Sequence, residues 1–261
     1  MMKYIITHIV VWALVFLSIS SARAQFLDGT TGLLQMPTAV MNREGTFMIT
    51  TNYLNQHTNS TFWGYNTFGY GLDVALWNRV EFAYVCTLMH GTSYFDTQPE
   101  VPVNWVNQDR HFSAKILLLY EGEFGQKWLP ALAFGVSDPM STAFNFQKRG
   151  TDKNNGYYNR FYLVASKQFD TPWGPVGTHA GYQYNLRDDY YINALCAGID
   201  WKPVWMQTRW LTLDLVAEYD SRTFNFGFIA SLWNDHIEAM FDLQALRWVS
   251  FGLRLKIHVK D

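Results

Sequence analysis

Phe224-Asn225-Phe226-Gly227-Phe228-Ile229-Ala230-Ser231-Leu232 is the stretch whose reading decides the fold. Successive side chains on a strand point to opposite faces, so Phe224, Phe226, Phe228, Ala230 and Leu232 share one side and Asn225, Gly227, Ile229 and Ser231 the other. One side is apolar and the other small or polar. A soluble sheet gives the same local pattern, and context separates the two: a secretion signal, no second hydrophobic span, and many such runs in series.

All three are present. Met1-Met2-Lys3 leads an apolar stretch from Tyr4 to Ile19, followed by Ser20-Ser21-Ala22-Arg23-Ala24 before Gln25. This reads as a signal peptide over 1–24, cleaved between Ala24 and Gln25. The apolar stretch is short against the roughly 20 residues a spanning helix needs. Hydrophobic residues make up 49% of the 261-residue chain and aromatic ones 17%, a profile suited to a barrel, which spends only alternate residues on lipid. A formal charge of -2 excludes the basic surface that nucleic-acid binding needs.

Beyond an irregular N-terminal segment, 25–44, the pattern predicts a single barrel domain over 45–261. About twelve strands of roughly 8 to 12 residues suit a tilted crossing of an outer membrane. They begin at Gly45–Leu54, Tyr70–Trp77, Val80–Leu88, Phe112–Tyr120, Leu129–Val136 and Tyr158–Ser166. Val176–Asn185, Tyr191–Trp201, Trp210–Tyr219, Phe224–Trp233, Ile237–Gln244 and Trp248–His258 complete the series. Trp77, Trp128, Trp173, Trp201, Trp205, Trp210 and Trp233 flank alternate turns, as expected of an aromatic girdle at a headgroup layer, where an apolar ring with a polar N–H is stable. Those turns are expected in the periplasm. The longer polar connections 55–68, 89–109 and 137–157 are expected outside the cell.

The polar faces carry both signs of charge: Asp73, Glu81, Lys115, Asp214, Glu218, Glu238, Asp242, Arg254 and Lys256. Lys115, Asp214, Glu218, Glu238, Asp242, Arg254 and Lys256 are the candidate lumen charges, since charge facing lipid is costly while paired or wet charge inside a barrel is not. A turn near Leu246-Arg247 sets Glu238 roughly opposite Arg254 and Lys256. Cys86 reads as a small lipid-facing hydrophobe, and it and Cys196 lie on strands too far apart around a barrel to favour a bridge.

Catalysis has a weak foothold. His179 shares the Gly177-His179-Gly181-Gln183 face and Ser166 ends the preceding strand, but no G-x-S-x-G, H-E-x-x-H or paired C-x-x-C motif is present. No catalytic, cofactor-binding or metal residue is therefore assigned, no cofactor is implied, and the chain is not expected to be an enzyme. Loop aromatics Trp63, Tyr65, Trp105, Tyr157 and Tyr158 are candidates for stacking on sugars.

Past the signal, Asp28-Gly29-Thr30-Thr31-Gly32-Leu33-Leu34-Gln35-Met36-Pro37-Thr38-Ala39 followed by Glu44-Gly45 resembles the opening of the YjbH family of exopolysaccharide-associated outer-membrane proteins. Gly29, Gly32, Met36, Pro37 and Thr38 carry the motif, and the glycines and proline suit an irregular segment. Further similarity lies in Pro130–Asp138, in Tyr162–Lys167, and in Glu218-Tyr219 with Asn225-Phe226-Gly227. Ser250-x-Gly252-x-x-Leu255-x-Ile257 resembles the C-terminal signal that the barrel-assembly machinery recognises in its clients. The resemblance implies an integral outer-membrane barrel of a Gram-negative bacterium, tied to exopolysaccharide production, secretion or surface assembly. Its expected partners are outer-membrane lipid, the assembly machinery, and exopolysaccharide or export-system proteins. A small-solute porin is the alternative, and an outer-membrane lipid-modifying enzyme the less favoured one.

Overall fold

Alternation becomes geometry in a computed structural model of the chain, which describes residues 27–58, 65–91, 104–139, 158–186 and 191–259. Signal cleavage between Ala24 and Gln25, and the loop aromatics Trp63 and Tyr157, lie outside the described residues.

Twelve strands form: β1 (Thr46–Leu54), β2 (Thr67–Leu76), β3 (Val80–Gly91), β4 (Asn104–Leu119), β5 (Ala131–Ser137), β6 (Arg160–Phe169), β7 (Val176–Tyr184), β8 (Asn193–Trp201), β9 (Leu211–Tyr219), β10 (Phe224–Leu232), β11 (Ile237–Gln244) and β12 (Trp248–His258). Each pairs antiparallel with its sequence neighbour, and β1 pairs with β12, so the sheet closes into a barrel. Closure gives every strand a neighbour on both sides over at least part of its length, so the sheet has no edge strand. Among the described residues no helix is long and apolar enough to cross a membrane.

Pairing fixes which face points in. In β10, Asn225, Ile229 and Ser231 are buried inside, while Phe224, Phe226 and Phe228 are exposed outside. Register extends the outer belt across strands: Phe228 pairs with Phe241 and stacks on it at 5.5 Å, and Tyr53 stacks on Phe251 at 4.8 Å. Glu238 pairs with Arg254 in the closing hairpin, on the inner face. The wall is thus largely apolar on its outer face, and its inner face carries the buried charged side chains together with smaller apolar ones.

Short turns gather at one end of the barrel, where β2–β3, β4–β5, β6–β7, β8–β9 and β10–β11 connect. Trp77, Trp128, Trp173, Trp205, Trp210 and Trp233 stand there, all exposed. Trp201 is half-buried, edge-on to Trp205 at 5.1 Å.

One hairpin departs from the sequence reading. β3 and β4 continue past Leu88 and back to Asn104, into the stretch expected to be loop. Beyond the apolar belt neither face of a strand has to be hydrophobic, so Gln108, Asp109 and Arg110 pair in the ladder without an alternating signature. Cys86 lies on the outward face with Phe82 and Tyr84 but is buried, and Cys196 faces the interior. Both thiols are free.

The interior is filled by the chain's own N-terminal segment. Leu33, Leu34, Met36 and Ala39 are buried against Leu54, Leu117, Ala133, Val164, Cys196, Val216, Ile229 and Met240 from the wall. Outside a Gly32–Pro37 bridge this segment has no regular structure. A twelve-strand barrel encloses more width than its wall side chains span, and the segment occupies that width.

Candidate functional site: a charged lumen gripped around the N-terminal segment

A segment without strand or helix leaves backbone N–H and C=O groups that must find partners once buried. The lumen wall supplies them. The Glu218 carboxylate of β9 accepts from the backbone N–H groups of Leu34 at 3.0 Å, Gln35 at 2.6 Å and Met36 at 3.3 Å, and from Asn225 Nδ2 at 3.0 Å. Beside it, Gln35 Nε2 donates to Asp242 Oδ2 at 2.8 Å.

A second grip lies on β2, β3 and β4. Glu81 accepts from the Thr31 N–H at 2.9 Å and the Asn42 N–H at 2.6 Å, and pairs with Lys115 Nζ at 3.1 Å. Lys115 also donates to the carbonyls of Thr31 at 2.8 Å and Val40 at 2.7 Å. Asn42 Nδ2 donates to Asp73 at 3.1 Å. On β6, Arg160 pairs with Asp28 and donates to the Gln35 carbonyl at 3.2 Å and to Gln183 at 2.9 Å. Glu81, Lys115, Arg160 and Glu218 are stable there because each meets an opposite charge or backbone dipoles.

All seven candidate lumen charges, Lys115, Asp214, Glu218, Glu238, Asp242, Arg254 and Lys256, project inward and are at most 3% exposed. They do not form one cluster. Lys115, Glu218 and Asp242 hold the N-terminal segment, while Lys256 joins Glu238 at 2.7 Å and Asp235 at 3.1 Å within the wall. The partners of Glu218 and Lys115 on the segment lay beyond sequence reasoning, since Gln35 and Glu218 are 183 positions apart.

Each motif residue has a place inside. Met36 is fully buried, Gly32 bridges Pro37, and the Thr38 hydroxyl oxygen accepts from the Val40 N–H at 3.3 Å. Gly29 has φ +75°, and a β-carbon there would overlap Val85 and crowd Ala83, so both conformation and space favour glycine.

The packing is uneven along the axis. Among the described residues at the long-loop end, a small cavity of about 30 Å³ is bordered by Leu27, Thr58, Tyr158 and Arg222. Tyr158 is buried there, its ring 4.6 Å from that of His111, so this proposed sugar-stacking side chain packs inside the barrel instead. At the short-turn end a cavity of about 500 Å³ opens beside the segment, bordered by Ala39, Arg43, Leu117, Ser166, His179 and Asp200 among others.

On that cavity, Ser166 Oγ is 2.8 Å from His179 Nδ1, and His179 Nε2 is 2.7 Å from Asp200 Oδ1. The Ala39 N–H donates to Ser166 Oγ at 2.8 Å. Ser166 and His179 are directly paired across β6 and β7. Asp200 escaped the sequence reading, although it follows Cys196 and Gly198 on the inward face of the next strand. Among the described residues no group of three or more His, Cys, Asp or Glu side chains is placed to hold a metal ion.

A search of curated proteins finds no match. The YjbH family model, described as exopolysaccharide biosynthesis protein YbjH, matches residues 25–240, a span that takes in both the gripped N-terminal segment and ten strands of the barrel with part of the eleventh. The chain belongs to the YjbH family.

Proposed function

We propose that this protein is an integral outer-membrane barrel, delivered by its signal peptide, that serves exopolysaccharide secretion or surface assembly, and that it is held closed at rest by its own N-terminal segment. The family name supplies the link to exopolysaccharide biosynthesis. The observation that carries the rest is the inversion of the molecule: a belt of exposed Phe, Leu and Ile around a lumen of buried ion pairs. An apolar belt of that extent is stable in lipid and a liability in water.

Exposed indoles at the short turns supply the boundary such a belt requires. The filled lumen argues for a gated or scaffolding part in glycan traffic over free diffusion of small solutes. Glycan or export-system proteins, and the assembly machinery during biogenesis, are the proposed partners. The test is deletion of the gene under conditions that produce surface polysaccharide, with fractionation of the tagged protein. Reduced surface polysaccharide and recovery in the outer membrane are expected. Unchanged polysaccharide, or recovery as a soluble periplasmic protein without detergent, overturns the proposal.

A further inference from the structure

We propose that Ser166, His179 and Asp200 form a serine hydrolase centre, open to the cavity at the short-turn end, that cleaves small-acyl esters of polar alcohols. This goes beyond the exopolysaccharide reading and does not depend on it. It also departs from the expectation that the chain carries no catalytic residue.

Protonation follows from the contacts. An ionised Asp200 can only accept, so His179 Nε2 carries the hydrogen and donates at 2.7 Å. That leaves Nδ1 of a neutral imidazole as the acceptor, and Ser166 Oγ, at 2.8 Å, as its donor. The Ala39 N–H fills a lone pair of the same oxygen. Nucleophile, base and orienting carboxylate are thus in the order and within the distances that acyl transfer uses, with the two imidazole nitrogens exchanged relative to the chymotrypsin arrangement.

The fold makes room for this arrangement. A β-carbon at Gly177 would overlap Asp200 Oδ1 and crowd His179 Nε2, so the glycine admits the carboxylate to the imidazole. The cavity, about 500 Å³, is within the range of small-molecule sites. Its buried border is mixed: Leu33, Leu117 and Ala131, the last paired directly with Ser166, form an apolar patch beside the triad, and Thr38, Asn42 and Lys202 are buried polar neighbours. Its exposed border is polar, with Arg43, Asn78 and Glu121. The apolar patch beside Ser166 suits a small acyl group and the exposed side a hydroxylated leaving group.

In the reaction, Ser166 Oγ bonds the acyl carbon while its proton passes to His179 Nδ1 and the carbonyl π electrons move onto oxygen. The Ala39 N–H, already beside Oγ, donates to that oxygen. The bond to the alcohol oxygen then breaks, and that oxygen takes the proton from Nδ1. Water repeats the sequence: its proton goes to Nδ1, its oxygen bonds the acyl carbon, and Ser166 Oγ departs with the proton. Ester and water give acid and alcohol, with no change of oxidation state.

The full chain, folded in detergent micelles, is treated with a fluorophosphonate probe and assayed with p-nitrophenyl acetate. The wild type is expected to carry the probe on Ser166, located by peptide mass. Ser166→Ala abolishes the adduct, and His179→Ala and Asp200→Asn lower turnover by roughly 10²- to 10⁴-fold. Ser113→Ala, on the inner face away from the cavity, behaves as wild type. A structural role for the triad, pinning Ala39 to the wall, predicts no adduct. Folded wild-type protein that takes up no probe, or takes it up on another serine, overturns the proposal, and this arm holds even where a variant fails to fold.

Discussion

The Gln35 backbone N–H meets Glu218 Oε1 at 2.6 Å, and the Leu34 and Met36 N–H groups meet the other oxygen of the same carboxylate. One side chain of the wall thereby satisfies three consecutive donors of an irregular segment, a task that a helix meets internally and a strand through its neighbours. Glu218→Ala strands those donors, at about 1–3 kcal/mol each. The expected outcome is a lower melting temperature and protease cleavage within 27–42 before the barrel itself is cut. Cleavage of that segment no faster than in wild type would remove Glu218 as its main anchor.

Lys115 and Glu81, both fully buried, form the other grip. Lys115→Met leaves the Glu81 carboxylate and three segment carbonyls without their cation, and destabilisation of about 3–5 kcal/mol is expected. Pairing the change with Glu81→Gln should recover part of the loss, since the uncompensated charge is then gone. Urea unfolding in micelles measures both. A double variant no more stable than the single one would mean that the carboxylate is not the penalty.

The β11–β12 turn places Ala245 at φ 53° and Leu246 at φ 56°. They are the central residues of a turn closed by the Arg247 N–H on the Gln244 carbonyl at 3.1 Å, and such a pair favours Asn-Gly, because a β-carbon in the left-handed region costs about 1–2 kcal/mol. Leu246 is largely exposed, so little packing is lost with its side chain. Ala245→Asn with Leu246→Gly is expected to stabilise the barrel by about 1–2 kcal/mol in the same unfolding assay. No gain would place the strain elsewhere.

Asp235 sits in the β10–β11 turn, where burial, reinforced by the neighbouring Glu238 charge, pushes its carboxyl up to about 7 despite Lys256 at 3.1 Å. A raised folded-state value means that the folded state binds more protons than the unfolded one between about pH 4 and 7. The contribution of Asp235 to stability therefore falls as pH rises through that window. Asp235→Asn should flatten this part of the profile, seen as a wild-type-minus-variant difference in melting temperature that changes between pH 5 and 8. A difference independent of pH contradicts the assignment.

Strands were legible in the sequence because a barrel wall repeats one local rule, alternation, and because register follows from it: Glu238 across from Arg254 needed only the turn between them. The β3–β4 extension obeys the ladder but not the rule, since its residues beyond the apolar belt have no side that must be hydrophobic. The segment 27–42 carries no periodicity at all. Its glycines and Pro37 signal irregular backbone, but its position inside the barrel is written in contacts such as Gln35 to Glu218 and Thr31 to Glu81, which no local window contains. Asp200 was hidden for the same reason: His179 and Ser166 sit on a recognisable face, while the third member joins them only through the lateral order of β6, β7 and β8.

The closed state is tested most directly by planar-bilayer conductance of the purified full chain. The wild type is expected to insert without steady conductance, because the segment 27–42 fills the lumen. A Glu218→Ala, Glu81→Ala variant is expected to open long-lived channels as both grips fail. A wild-type barrel that conducts steadily on insertion, or a double variant that inserts and stays closed, contradicts a barrel sealed by those two carboxylates.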